Sequence, residues 1–220
     1  MMPATSLRYA RQVRLPEVGV DGQERLQEGS ALVVGAGGLG APALHHLVAS
    51  GVGRVGVIEF DTVDLTNLHR QTLYSTDDVG RPKLEAARDR LHAINPDVVV
   101  EAHEGRLSAA NADLLIGSYD LVLDGSDTFS TRYAVNDASV RTSTPNVFAS
   151  VSQFSGQASI FGTENGPCYR CLFPEPPPPD LIPNCEDGGV LGVVPSLLGT
   201  IQAAEAIKWM LGVGSSLVGR

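Results

Sequence analysis

Three glycines, spaced Gly35-x-Gly37-x-x-Gly40, follow the apolar run Ala31-Leu-Val-Val34 and open a helix-forming segment, Ala41–Ser50. In that setting glycines let backbone amides at a helix N-terminus approach phosphate oxygens, and Gly38 keeps the loop free of a side chain at one more position. An acid about twenty residues on can accept from a ribose hydroxyl. Glu59 stands there, with Asp61 two residues later. The alternative, tight-turn glycines without a ligand, does not account for the strand before them and the helix after them. Taken alone, the fingerprint favours a dinucleotide such as NAD.

The residues that follow change that balance. Asn67-Leu-His-Arg70-Gln71 forms a polar cluster, and Lys83 opens a later helix. Hydride transfer asks little more than amides of a pyrophosphate, whereas expelling pyrophosphate requires cations against the growing negative charge. Arg70 and Lys83 suit that task, although each alone would pass for a solvated surface charge. Asp127, in Asp124-Gly-Ser-Asp127-Thr128, is a further acid after an apolar run. Cys168-x-x-Cys171 has zinc-ligand spacing, but a structural zinc takes four ligands and the chain holds one such pair. A thioredoxin-like redox pair competes, yet those sit beside the first helix of their fold. Cys185 is either a small buried hydrophobe or a thiol activated by its surroundings. The histidines at 45, 46, 69, 92 and 103 make no metal spacing, and no Ser/His/Asp arrangement stands out.

Positioning these residues calls for alternating strands and helices. Ala31–Val34, Arg54–Ile58, Val98–Glu101 and Asp120–Leu123 are strand-like. Between them lie helical stretches at Ala41–Ser50, at Pro82–Ile94 with Leu84, Ala87, Leu91 and Ile94 on one face, and at Ser108–Ile116. An arm at Arg8–Leu15 and a helix near Gly22–Glu28 precede them. This order predicts an α/β fold: a doubly wound, mostly parallel sheet of Rossmann type. Past Pro145 the character shifts to strands at Asn146–Val151 and Gln157–Phe161, a Pro-rich connector through Pro174 and Pro176–Pro179, and a final helix near Pro195–Leu211. One domain over 1–220 is expected, with an arm and helix over 1–30, a nucleotide-binding half over 31–145 and a strand-rich half over 146–220 that holds a crossover loop at about 172–190.

A length of 220 residues with 43% hydrophobic and 19% charged side chains fits one globular domain. The net charge of −9 and the lack of a basic stripe argue against nucleic-acid binding. Cations also thin out after Arg141, where only Arg170, Lys208 and Arg220 remain, so a small anion should meet the first two thirds of the chain. Three bunched cysteines and no recognisable signal segment point to the cytoplasm. The uncharged run Gly188–Ala204 contains Pro195 and falls short of a membrane span.

Together these motifs resemble the MoeB/ThiF adenylyltransferases, which activate ubiquitin-like sulfur carriers and share ancestry with the ubiquitin-activating enzymes. The resemblance runs through Arg8-Tyr-Ala-Arg-Gln12, the glycine loop, Asn67–Gln71, Val79-Gly-Arg-Pro-Lys83, Asp124–Asp127, Cys168–Cys171, Asn184-Cys185-Glu and Glu205-Ala-Ile-Lys208. It implies adenylylation, with ATP, of the C-terminal Gly-Gly carboxylate of a small β-grasp carrier in a molybdopterin, thiamin or tRNA sulfur pathway. Sulfur would come from a separate donor. By the same resemblance Glu59, where the family usually has Asp, would bind the ribose with Asp61 close by. Asn67, Arg70 and Lys83 would hold the triphosphate, and Asp127 would hold Mg²⁺. Thr128 stands where the family has Asn and lacks that amide. Arg11 would reach the triphosphate of the other subunit in a homodimer, Cys185 could form a covalent link with the carrier, and Cys168 and Cys171 would be half of a zinc site if a second pair exists beyond Arg220, or else a pair of free thiols in a member that has lost the metal.

Overall fold

The computed structural model describes residues 7–178 and 188–220. Six strands form one sheet in the order β3-β2-β1-β4-β5-β6. They are β1 (Ser30–Val34), β2 (Arg54–Glu59), β3 (Val99–Glu104), β4 (Leu121–Asp124), β5 (Asn146–Ser152) and β6 (Ser155–Phe161). The first five run parallel; β6 returns antiparallel to β5 through a tight turn. In that turn Gln153 takes a left-handed backbone and Phe154 stands in solvent.

The helices are α1 (Gly19–Glu28), α2 (Gly40–Ser50), α3 (Lys83–Ile94), α4 (Ala112–Ile116), α5 (Phe129–Thr142), α6 (Tyr169–Leu172) and α7 (Val193–Leu211). Strand β1 is buried along its whole length, as a parallel strand covered on both faces must be. Its alternation divides the core. Ala31 and Val33 pack with Leu44, Leu47, Leu91 and Ala203 on one face. Leu32 and Val34 join Ile116, Val122, Val135 and Ala138 on the other. No helix among the described residues is long and apolar enough to cross a membrane.

The doubly wound sheet matches the expectation, but three elements depart from it. Helix α5 was not foreseen: Phe-Ser-Thr-Arg-Tyr-Ala-Val-Asn-Asp-Ala-Ser-Val-Arg-Thr has polar residues all round, and its buried face includes Asn136 and Ser139 beside Tyr133 and Val135. That leaves no apolar stripe to detect. Helix α4 is shorter than expected, because Asn111 accepts from the Ser108 amide and holds residues 108–111 as a turn. Strand β3 runs on to Glu104 because it pairs with β2 over that whole length.

Candidate active site

The order of strands reverses between β1 and β4, and in open α/β sheets ligands bind outside the carboxyl ends of the strands at such a point. The glycine loop leaves β1 there. Gly35 has φ +85°, and a Cβ at Gly40 would lie 1.8 Å from the Gly35 carbonyl oxygen. At Gly37 the nearest neighbour of a Cβ would be Gln71 Nε2 at 3.6 Å, so that position is open. In the first turn of α2 the Ala41 amide donates to the Gly37 carbonyl at 2.8 Å and the Ala43 amide to the Leu39 carbonyl at 3.4 Å, and Pro42 has no amide hydrogen, so it is the amides of the loop itself, over residues 37–40, that face an anion. Gly125, just after β4, donates to the Val34 carbonyl at 3.0 Å, which brings the β4 loop against the glycine loop.

Glu59 ends β2 and is buried. Its Oε2 accepts from the Ala36 amide at 2.8 Å, while Oε1 accepts from the amides of Phe60 and Asp61. The carboxylate therefore fixes the loop from below. Asp61, half exposed, accepts from Lys83 Nζ at 2.7 Å. Burial works upward on the Asp61 carboxyl, but the hydrogen bond and charge of Lys83, with help from the Thr62 amide and Arg106, hold it below its usual value. Lys83 itself is 4% exposed, at the first turn of α3, and Asp61 also accepts its amide through the main chain. A lysine so enclosed is a fixed charge rather than a solvated one.

Between these two residues the chain makes a one-turn 3-10 helix, Leu65–Asn67. Asp64 accepts from the Thr66 amide at its start, and Asn67 Oδ1 accepts from the Asp64 amide at 3.4 Å. Arg70 Nη1 donates to the Thr66 carbonyl at 2.9 Å and lies 2.9 Å from His69 Nε2. The Arg70 stem passes close to Gly38, 3.7 Å from where a Cβ would stand. Glycine loop, Arg70, Asn67, Asp61 and Lys83 thus share one edge of the sheet.

Asp127 is exposed in the loop after β4 and makes no hydrogen bond or ion pair among the described residues. An exposed, unpartnered carboxylate beside a phosphate-binding loop suits magnesium, which prefers carboxylate, water and phosphate oxygens. Thr128 next to it caps α5: its hydroxyl accepts from the Thr131 amide at 3.4 Å.

Four residues not singled out from sequence complete the site's support. Asp124 is fully buried, with Oδ1 accepting from Ser126 and Oδ2 free of hydrogen bonds among the described residues. Burial pushes its carboxyl up, and Arg132 and Ser126 pull it back down. Arg132 Nε lies 4.0 Å from Asp124 Oδ2. Tyr74 donates to the Ala36 carbonyl at 2.9 Å, and Gln202 on α7 donates to the carbonyls of Asp124 and Val147 at 2.8 Å each. The spacing of Arg132 five residues past Asp127 was the available signal, hidden because helix α5 itself was not legible.

The remaining candidates lie elsewhere. Arg11 is exposed in the N-terminal segment, which is anchored at the C-terminal end of α2: Gln12 donates to the Ser50 carbonyl, and the Tyr9 hydroxyl accepts from Asn95. The eleven residues of α2 separate that end from the glycine loop by about 16 Å. Cys168 and Cys171, with sulfurs 3.7 Å apart, line a groove of about 980 Å³ with Val140, Ser143, Pro145 and Trp209, at the amino end of β5. Among the described residues no third His, Cys, Asp or Glu joins them, so the two thiols alone do not make a zinc site. Cys185 falls outside the described residues, as do all of residues 179–187 of the crossover loop.

Known proteins resemble this chain in sequence and fold. The chain is 55% identical over 217 residues to the sulfur carrier protein adenylyltransferase of Thermus thermophilus, covering 96% of this chain and 80% of that one. It is 49% identical to the probable adenylyltransferase/sulfurtransferase MoeZ of Mycobacterium tuberculosis, covering 97% of this chain, and spans about half of that protein's length (55%). Among solved structures, Escherichia coli MccB superposes with a TM-score of 0.84 at 21% identity, over 99% of this chain and 65% of MccB. The E. coli tRNA N6-threonylcarbamoyladenosine dehydratase TcdA gives 0.74 at 20%, over 95% and 96%. At such identities these two speak for the fold alone. Residues 9–220 match the ThiF family, and the chain belongs to it.

Proposed function

We propose that this protein is an adenylyltransferase that activates the C-terminal Gly-Gly carboxylate of a small β-grasp sulfur carrier. The observation that carries the reading is the enclosed Lys83, paired with Asp61 beside Arg70 and the glycine loop at the switch point of the sheet. A carboxylate oxygen of the carrier attacks the α-phosphorus of ATP. The new carboxyl–phosphate bond forms as the bond to the β-phosphate bridging oxygen breaks, and pyrophosphate leaves with the electron pair. Lys83 and Arg70 meet the charge that grows on the leaving group, and the amides of the glycine loop hold the phosphates in line. No general base is required, because a carboxylate is ionised at neutral pH.

Asp127 would hold magnesium, which when bound neutralises phosphate charge. Glu59 fixes the loop while Asp61, the more exposed of the two acids, stands nearer a ribose. Arg11 serves the partner subunit of a homodimer; its anchorage at the far end of α2 supports that reading, since within one chain it stands a helix length from the phosphates. A separate protein delivers sulfur to the adenylate, and the reaction takes place in the cytoplasm.

Exchange of labelled pyrophosphate into ATP tests the reading. Exchange should depend on a β-grasp carrier ending in Gly-Gly and vanish when those two residues are removed. Binding of NADH with no carrier-dependent exchange would overturn it.

A further inference from the structure

Asp127 is poised by a buried support that the reaction as described leaves without a role. Directly beneath its loop, Asp124 accepts twice through one oxygen, from the Ser126 amide at 2.9 Å and the Ser126 hydroxyl at 2.5 Å. The residue before Asp127 is thereby held by two bonds to one carboxylate oxygen. The other Asp124 oxygen, fully buried, faces Arg132 Nε across 4.0 Å, and neither atom has a hydrogen bond among the described residues. Arg132 reaches back to the Ser126 carbonyl at 3.4 Å, and its guanidinium lies over the rings of Phe129 and Phe148 at 5.3 and 5.2 Å. Gln202 clamps the Asp124 carbonyl from the opposite face of the sheet. The amide, hydroxyl and carbonyl of Ser126 are therefore all held by Asp124 and Arg132, and Asp127 is the exposed end of the assembly.

A buried ion pair separated by 4.0 Å is a poor source of stability, since desolvation offsets most of its attraction. Outer groups that orient a ligand carboxylate, by contrast, commonly govern how tightly a metal is held. We propose that Asp124 and Arg132 are positioning residues: together they hold Ser126 so that the Asp127 carboxylate is set in advance for the divalent cation of the nucleotide. The inference rests on Asp127 binding that cation, as the proposed function has it.

The test measures Mn²⁺ binding by electron paramagnetic resonance on the whole protein loaded with ATP and without carrier, so that no turnover occurs. Asp124→Asn keeps an acceptor for Ser126 but removes the charge facing Arg132, and should weaken Mn²⁺ binding roughly 10–100-fold. Ser126→Ala removes one of the two bonds and should weaken it less while the protein melts at its usual temperature. This second variant keeps the test decisive should Asp124→Asn fail to fold. The double variant Asp124→Asn with Arg132→Gln should bind no worse than Asp124→Asn alone, because the pair acts as a unit. Mn²⁺ affinity within twofold of wild type in both single variants that fold would overturn the inference. Asp127→Ala is the reference. Should it retain the Mn²⁺ site, the assignment of the cation to Asp127 fails, and this inference fails with it. Carrier-dependent exchange by the wild type tests the reaction separately.

Discussion

Replacing Gly40 by alanine separates what the glycine loop does for the fold from what it does for a ligand. A methyl group there would stand 1.8 Å from the Gly35 carbonyl oxygen and 2.9 Å from its carbon, both backbone atoms. A carbon and a carbonyl oxygen tolerate about 3.3 Å. The start of α2 would therefore have to move by about 1.5 Å, and no side chain can yield instead. Overpacking at this level costs about 3 kcal/mol. With an m-value of about 2 kcal/mol/M, that lowers the urea midpoint by about 1.5 M. A displacement beyond 1 Å of the phosphate-binding amides should also reduce pyrophosphate exchange by about 100-fold. Gly37→Ala is the counterpart. Its methyl group would meet nothing closer than Gln71 Nε2 at 3.6 Å, so the urea midpoint should stay within about 0.3 M of wild type. The KM for ATP should nonetheless rise about tenfold, because the added methyl group occupies the approach to the phosphates. Equal urea midpoints for the two variants, or an unchanged KM for Gly37→Ala, would refute the reasoning.

Lys83→Ala should lower exchange by roughly 10²–10³-fold while leaving secondary structure intact, since the freed Asp61 is half exposed and can hydrate; circular dichroism and exchange together check this. Asp127→Ala should abolish exchange with no change in melting temperature, and near-normal exchange would show that this carboxylate holds no metal. Arg11→Ala and Lys83→Ala, each inactive alone, should recover part of the activity when mixed, through hybrid dimers; absence of recovery under conditions that exchange subunits counts against service across the interface. Stability should fall as pH drops from about 5 toward 2. Arg141 bonding to Asp113, the Ser75 amide to Asp78, Arg170 to Asp137 and Tyr119 to Glu101 all hold carboxyls below their usual values. Their contribution is therefore present above the unfolded-state pKa and lost as pH falls through the folded one. Asp124 opposes this, because its raised folded-state pKa takes stability away as pH rises, and four depressed carboxyls should outweigh it. A urea midpoint constant from pH 5 to 2 would contradict that sum.

The parallel sheet was legible because Ala31–Val34, closed by glycines, and its neighbours are short apolar runs that alternate with helical segments, and helix α3 because Leu84, Ala87 and Leu91 recur at helical spacing. Helix α5 was not, since Tyr133 and Val135 share its buried side with Asn136 and Ser139, whose burial depends on contacts made elsewhere in the chain. Asn136, for example, accepts from the Tyr169 amide, thirty-three residues away. The same limit applies to the site. Gly35, Arg70 and Lys83 announce themselves by type and order. That Lys83 is enclosed, that Glu59 spends its oxygens on loop amides, and that Asp124 is the support beneath Asp127 are facts of distance between segments that no spacing encodes.

Helix α7 and the glycine before it come close to the glycine loop, to His69 and to the start of α2. A Cβ on Gly38 would meet Pro195 at 3.1 Å, one on Gly192 the His69 carbonyl oxygen at 2.2 Å, and one on Gly199 the Leu39 carbonyl oxygen at 2.1 Å. The last two are contacts with backbone, which has no flexible side chain to absorb a shift. A side chain added at Gly192 or Gly199 would consequently press α7 away from the segment that carries Arg70 and from the start of α2, so the small residues along this helix are part of what holds the floor of the site in place.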